Sequence, residues 1–186
     1  MRHGLILGAC AALACAAHAD VLHDESIHGD LSGDRFNPTA LLPSLGDNSI
    51  IGETVRGDLE YFTVHIAAGR ALGAIFVDGF TSTDDLAFIA VQEGTTFTEP
   101  PESPDVTNLL GWWHLGIGDL GTDILDDIGT GDGAIGFIPP LPAGDYTFWL
   151  QQTGMEPVGY DLNFVVIPAP ASGLALAAIL LSRRRR

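Results

Sequence analysis

Three stretches of this chain alternate apolar and polar side chains with a period of two, and this pattern limits the fold more than any other feature. Phe62, Val64 and Ile66 fall on one side of the first stretch, with Tyr61, Thr63 and His65 on the other. Tyr146, Phe148 and Leu150 oppose Thr147, Trp149 and Gln151, and Tyr160, Leu162, Phe164 and Val166 oppose Asp161, Asn163 and Val165. Successive side chains of a strand point to opposite faces, so these stretches read as half-buried strands. Ala71 to Val77 and Leu86 to Val91 are apolar on both faces and read as central strands, while Ser49 to Val55 is a less regular one. Turn-forming pairs lie between them, at Ala68-Gly69, Asp78-Gly79, Pro139-Pro140 and Ala143-Gly144. No window carries a helical period. Short strands at this spacing predict an all-β fold, a single jelly-roll-like β-sandwich over residues 20–166. Gly94 to Asn108, with prolines and carboxylates but no periodicity, reads as a long surface loop.

The two ends have a different character. Met1-Arg2-His3-Gly4 is basic, Leu5 to Ala16 is apolar, and Ala17-His18-Ala19 is a small-x-small site for signal peptidase. Residues 1–19 are therefore expected to leave as a signal peptide, with Asp20 as the new N-terminus. A buried N-terminal helix is the alternative, and Leu7-Gly8-Ala9-Cys10 is also compatible with lipidation at Cys10. Both cysteines, Cys10 and Cys15, lie in this segment. The mature body then has no disulfide and relies on packing, bound metal, or both. At the other end, Pro168-Ala169-Pro170 precedes an uncharged run and the cluster Arg183, Arg184, Arg185 and Arg186. Basic residues stay cytoplasmic, which places the body outside the membrane. A helix from Ala171 to Leu181 rises roughly 17 Å, short of the about 20 apolar residues of a stable span. Such a weak anchor suits a segment held briefly and then cut; a plain membrane anchor is the alternative.

This tail resembles the PEP-CTERM family of sorting signals, which combine a Pro-x-Pro motif, one hydrophobic helix and a terminal arginine cluster. Pro168-Ala169-Pro170 stands where the commonest motif is Pro-Glu-Pro. The resemblance covers residues 167–186. It implies processing by an exosortase-type enzyme, transient residence in the inner membrane, and a final place at the cell surface or outside the cell. A second resemblance lies in the body. Residues 57–69, Gly57-Asp58-Leu59-Glu60-Tyr61-Phe62 onward, are similar to the opening strand of bacterial pre-peptidase C-terminal domains. Pro142-Ala143-Gly144-Asp145-Tyr146 is similar to a later strand of that family, and Gly159-Tyr160-Asp161-Leu162 to its closing one. This match spans about residues 52–166. It implies a compact β-sandwich, in that family often attached to secreted enzymes and sometimes calcium-binding.

All 24 acidic residues lie between Asp20 and Asp161, where the basic residues are Arg35, Arg56 and Arg70, and the chain has no lysine. Such a body lacks the cations that nucleic acid requires and is repelled by anionic lipid. Its abundant apolar residues argue against disorder. The charge favours solubility, divalent cations or a saline habitat, and Asp119, Asp123, Asp126, Asp127 and Asp132 form a glycine-rich stretch suited to calcium. Asp30-Asp34 and Asp84-Asp85 are further acidic clusters; a solvated acidic face is the alternative for all three. His23 and His28 flank Asp24 and Glu25, as a transition-metal pair or as part of a solvated arm. Trp113 and Trp149 are candidates for an aromatic platform that binds extracellular polysaccharide, with core packing as the alternative. No Gly-x-Ser-x-Gly, His-Glu-x-x-His or phosphate-binding glycine motif is present, and no enzyme activity is expected. The sequence reads as an exported structural or interaction module of the cell surface or extracellular matrix. A lectin-like module and an accessory domain of a secreted hydrolase are the competing readings.

Overall fold

The alternating stretches pair with one another. In the computed structural model, which describes residues 19–83 and 86–170, nine strands form two sheets. One sheet runs β1 (Asp20–Asp24), β3 (Asn48–Thr54), β9 (Val158–Pro168) and β5 (Arg70–Thr81). The other runs β2 (Thr39–Leu41), β4 (Leu59–Ile66), β8 (Gly144–Gln152), β6 (Ala87–Glu93) and β7 (Gly111–Leu115). Among the described residues, α-helix is confined to α1 (Glu25–His28) and α2 (Leu125–Gly129). None of the described helices is long and apolar enough to cross a membrane. The expected signal helix and tail helix fall outside the described residues.

The inner faces follow the period-two reading. On β4 and β8, Phe62 lies opposite Phe148 and Val64 opposite Tyr146. On β9, Leu162 lies between Ile50 of β3 and Val77 of β5. The two sheets meet through aromatic rings. Phe62 and Phe148 stack at 5.4 Å, and Phe164 of the opposite sheet sets its edge against them at 5.9 and 5.2 Å. Edge-to-face contact of this kind adds to the burial itself. The result is the two-layer arrangement of a β-sandwich.

The N-terminal segment serves both sheets. β1 pairs parallel to β3, and β2 pairs parallel to β4. Buried Asn48 fixes the corner between them. Its Nδ2 donates to the carbonyls of Ser44, Gly46 and Phe164, and its Oδ1 accepts from the Ser44 amide.

The segment from Gly94 to Asn108 departs from the surface loop expected of it. It folds over the outer face of the second sheet and completes a separate apolar cluster of Tyr61, Phe88, Ala90, Phe97, Leu109 and Trp149. Polar side chains tie it down. Gln92 donates from Nε2 to the Asn108 carbonyl and accepts the Thr98 amide at Oε1. Glu99 accepts from the Asp105 amide and from Asn108 Nδ2. This second layer explains why β6 is apolar on both faces. Phe148→Ala, at the inter-sheet contact, should cost about 3–5 kcal/mol, because deleting a buried ring leaves a cavity. Phe97→Ala should cost a similar amount. Urea denaturation of the two variants checks this; a loss below about 1 kcal/mol for Phe97→Ala would return residues 94–108 to the status of a surface loop.

Candidate metal centre

The parity of β4 contains an anomaly. Glu60 falls on the same side of the strand as Phe62, Val64 and Ile66, so it points into the sandwich. It is 0 % exposed. On β9, Tyr160 shares the inward side with Leu162 and Phe164, and its hydroxyl donates to Glu60 Oε2. The same hydroxyl lies 3.2 Å from Glu25 Oε1. Glu25 reaches this point because β1 ends in the single turn α1. Asp24 caps that turn by accepting the Ser26 amide at 2.9 Å. Glu25 Oε2 then accepts the Glu53 amide at 2.8 Å.

Gly52 makes room for the approach. A β-carbon there would meet the Tyr160 hydroxyl, Glu25 Cδ at 2.5 Å and Glu25 Oε2 at 2.6 Å. Asp30, exposed in the turn after α1, closes the group. Carboxyl oxygens of Glu25, Asp30 and Glu60 all lie within 4.8 Å of one another. Glu60 Oε1 is buried and accepts no hydrogen bond from the described residues.

This crowding of like charges sets the protonation. Burial first, then the charges of Glu25, Asp58 and Asp30, push Glu60 up to about 9, against the opposing pull of the Tyr160 hydrogen bond. Burial, and then the neighbouring Asp30 charge, also raise Glu25 and Asp58. Burial and the adjacent Glu60 raise Tyr160 above its ordinary value. A hydroxyl has one hydrogen. Tyr160 gives it to Glu60 Oε2 and stands 3.2 Å from Glu25 Oε1, which leaves Glu60 Oε1 over. The donor set is oxygen only and suits a hard divalent cation. It contains no thiol or imidazole of the kind that zinc or copper favours.

The residues singled out by sequence lie elsewhere. Asp119 Oδ2 accepts the Gly116 amide. Asp123 Oδ1 accepts the amides of Ile75 and Leu125, stitching this segment to β5 and to the start of α2. Burial and then Asp119, Asp126 and Asp123 raise Asp127. Asp126 and Asp132 are exposed. Among the described residues, these five are not gathered into a set of three at the spacing that unites Glu25, Asp30 and Glu60. Asp34 caps its own turn through the Phe36 amide, and Asp84 and Asp85 lie outside the described residues.

Trp149 is 1 % exposed and packs among Tyr61, Phe88 and Phe97. Trp113 is half-buried against the main core. Trp112 lines a groove of about 300 Å³ with Phe88, Pro104 and His114, and Trp149 also borders it. His23 Nε2 donates to the Gly29 carbonyl at 2.9 Å, and His28 Nδ1 accepts the Asp24 amide. Asp20 opens β1, and Ala19 is exposed just before it. Pro168, Ala169 and Pro170 are exposed at the end of β9. Ala17 and Arg183 to Arg186 lie outside the described residues.

One signal of the triad is present in the sequence. That signal is parity: Glu60 stands two residues before Phe62, on the inward side of β4. The fold and site together define a two-sheet β protein with an acidic, oxygen-only cluster at one end of its core. No family model, curated protein or solved structure matches the chain.

Two outcomes follow from this geometry. The folded value of Glu60, about 9, lies above the unfolded value of about 4.3. The folded state therefore binds the extra proton between these limits. The stability it brings is complete below the unfolded value and is lost as pH rises towards 9, at up to roughly 1.4 kcal/mol per pH unit. In chelator, urea midpoints should fall from pH 5 to pH 8, and Glu60→Gln should flatten that slope. Gly52→Ala should destabilise by about 1–3 kcal/mol, because its methyl group displaces Glu25 and Tyr160; thermal melting of the variant reads this.

Proposed function

We propose that this chain is an exported, non-catalytic structural or interaction module of the cell surface or extracellular matrix, released by processing at both ends. The observation that carries this reading is where the first and last described strands lie against the two sequence motifs. Strand β1 begins at Asp20, directly behind Ala17-His18-Ala19, and β9 ends at Pro168, the first residue of Pro-Ala-Pro. The described residues between them build two sheets, a jelly-roll-like sandwich on this reading. Residues 1–19 then serve as a signal peptide and residues 167–186 as a sorting tail, with a transient inner-membrane helix from Ala171 to Leu181.

Both boundaries suit proteolysis. The Asp20 amide donates to the Asp47 carbonyl at 2.9 Å, a bond that a freed N-terminal ammonium can also make. The Ala169 amide donates to the Gly69 carbonyl at 2.8 Å. The exposed Pro168-Ala169-Pro170 segment gives an exosortase-type enzyme an approach. Polysaccharide binding is the second reading, favoured by the Trp112 groove, and binding to a glycan array that is lost in Trp112→Ala would support it.

Mass spectrometry of the native protein tests the main reading. The mature N-terminus should be Asp20, and the C-terminus should lie near Pro168 to Pro170. Replacing Arg183 to Arg186 with glutamine should leave the tail unprocessed. A mature surface fraction that keeps Arg186 would make the tail a plain anchor.

A further inference from the structure

We propose that Glu25, Asp30 and Glu60 form a calcium site that fastens the N-terminal segment to both sheets. Glu60 carries the argument. It is fully buried, one of its carboxyl oxygens lies within 4.8 Å of oxygens of Glu25 and Asp30, and Oε1 has no hydrogen-bond partner among the described residues. A buried oxygen left in this state calls for a donor or a cation. The charges that act on it, those of Glu25, Asp58 and Asp30, are all negative. The spacing fits a single ion. Two oxygens bound to one calcium at about 2.3–2.6 Å can be no more than about 5 Å apart, and these three lie within 4.8 Å.

The three carboxyls come from separate places, α1, the turn after it and β4. Ligands arriving from unrelated directions suit the irregular shell of calcium better than the strict octahedron of magnesium. A bound ion would join β1 and α1, which belong to the first sheet, to β4 in the second. Segment 20–41 reaches the sandwich through edge strands, so this link would hold its two strands in place together.

The inference does not rest on the export reading. Failure of export shows in the termini of the native protein, whereas failure of the site shows in a titration. Full-length protein is titrated calorimetrically with calcium chloride and melted in calcium or sodium chloride at equal ionic strength. One saturable site is expected, with a rise in melting temperature that sodium does not reproduce. Glu60→Gln and Asp30→Asn should each weaken calcium about tenfold or more, and Asp123→Asn should leave it unchanged. Asp30 is exposed, so Asp30→Asn keeps the test open if Glu60→Gln does not fold. Equal melting in the two salts would overturn the proposal. So would calcium affinity that survives Asp30→Asn and is lost in Asp123→Asn, which would move the ion to residues 119–132. Magnesium binding as tightly as calcium would overturn the assignment of the metal.

Discussion

Phe62, Phe148 and Phe164 meet where the two sheets face each other, and the remaining elements take their positions from that contact. A stacked pair on one sheet receives a ring edge from the other. This sets the register of β4 on β8. A slip of one residue would turn Phe62 and Phe148 outward and bring Thr63 and Thr147 inward. In the register observed, the two threonines share a hydrogen bond at 2.8 Å on the outer face. The described body contains no cysteine, so this packing has no covalent support, and each inward position counts for more.

The outer face of the second sheet is covered in turn. A strand that is apolar on both sides, as β6 is, needs a neighbour on each. Residues 94–110 supply the second one. Phe97 and Leu109 enter the space beside Trp149, and Gln92 and Glu99 satisfy the backbone of the covering segment. Buried polar groups with full hydrogen bonding hold an irregular segment in one conformation at little net cost. Trp149 is thereby drawn into a core that leaves little of its ring exposed.

Strands with a clean alternation were legible because parity alone fixes which side is buried. Tyr146, Phe148 and Leu150 read correctly for that reason, as did Tyr160, Leu162 and Phe164. Segment 94–108 was not legible. Its prolines and carboxylates erase any period, and Phe97 alone does not announce a core. β1 and β2 were missed because they are short and lie at sheet edges, where pairing with β3 and β4 decides their conformation. The acidic stretch around Asp119 to Asp132 drew attention through density of charge. Density is a poor guide, since Asp119 and Asp123 spend oxygens on backbone amides. The triad is sparse in sequence, and its members meet only after β1 turns through α1 and crosses the end of the first sheet.

Glu60 remains the feature that packing alone does not require. An apolar residue at this inward position would fill the same space without the penalty of burying a carboxyl beside other carboxyls. The surroundings nonetheless support the acid. Tyr160 donates to one oxygen, Gly52 gives up its side chain to admit Glu25, and Asp24 caps the turn that delivers it. A proton on Glu60 neutralises one carboxyl and leaves Glu25 and Asp30 facing each other. A divalent ion shared among the three, as proposed, would offset much of that repulsion. In a body with 24 acidic residues and three arginines, such relief cannot come from nearby positive side chains in any quantity. Relief from solution is then the economical physical account of why an acid stands where a leucine would pack.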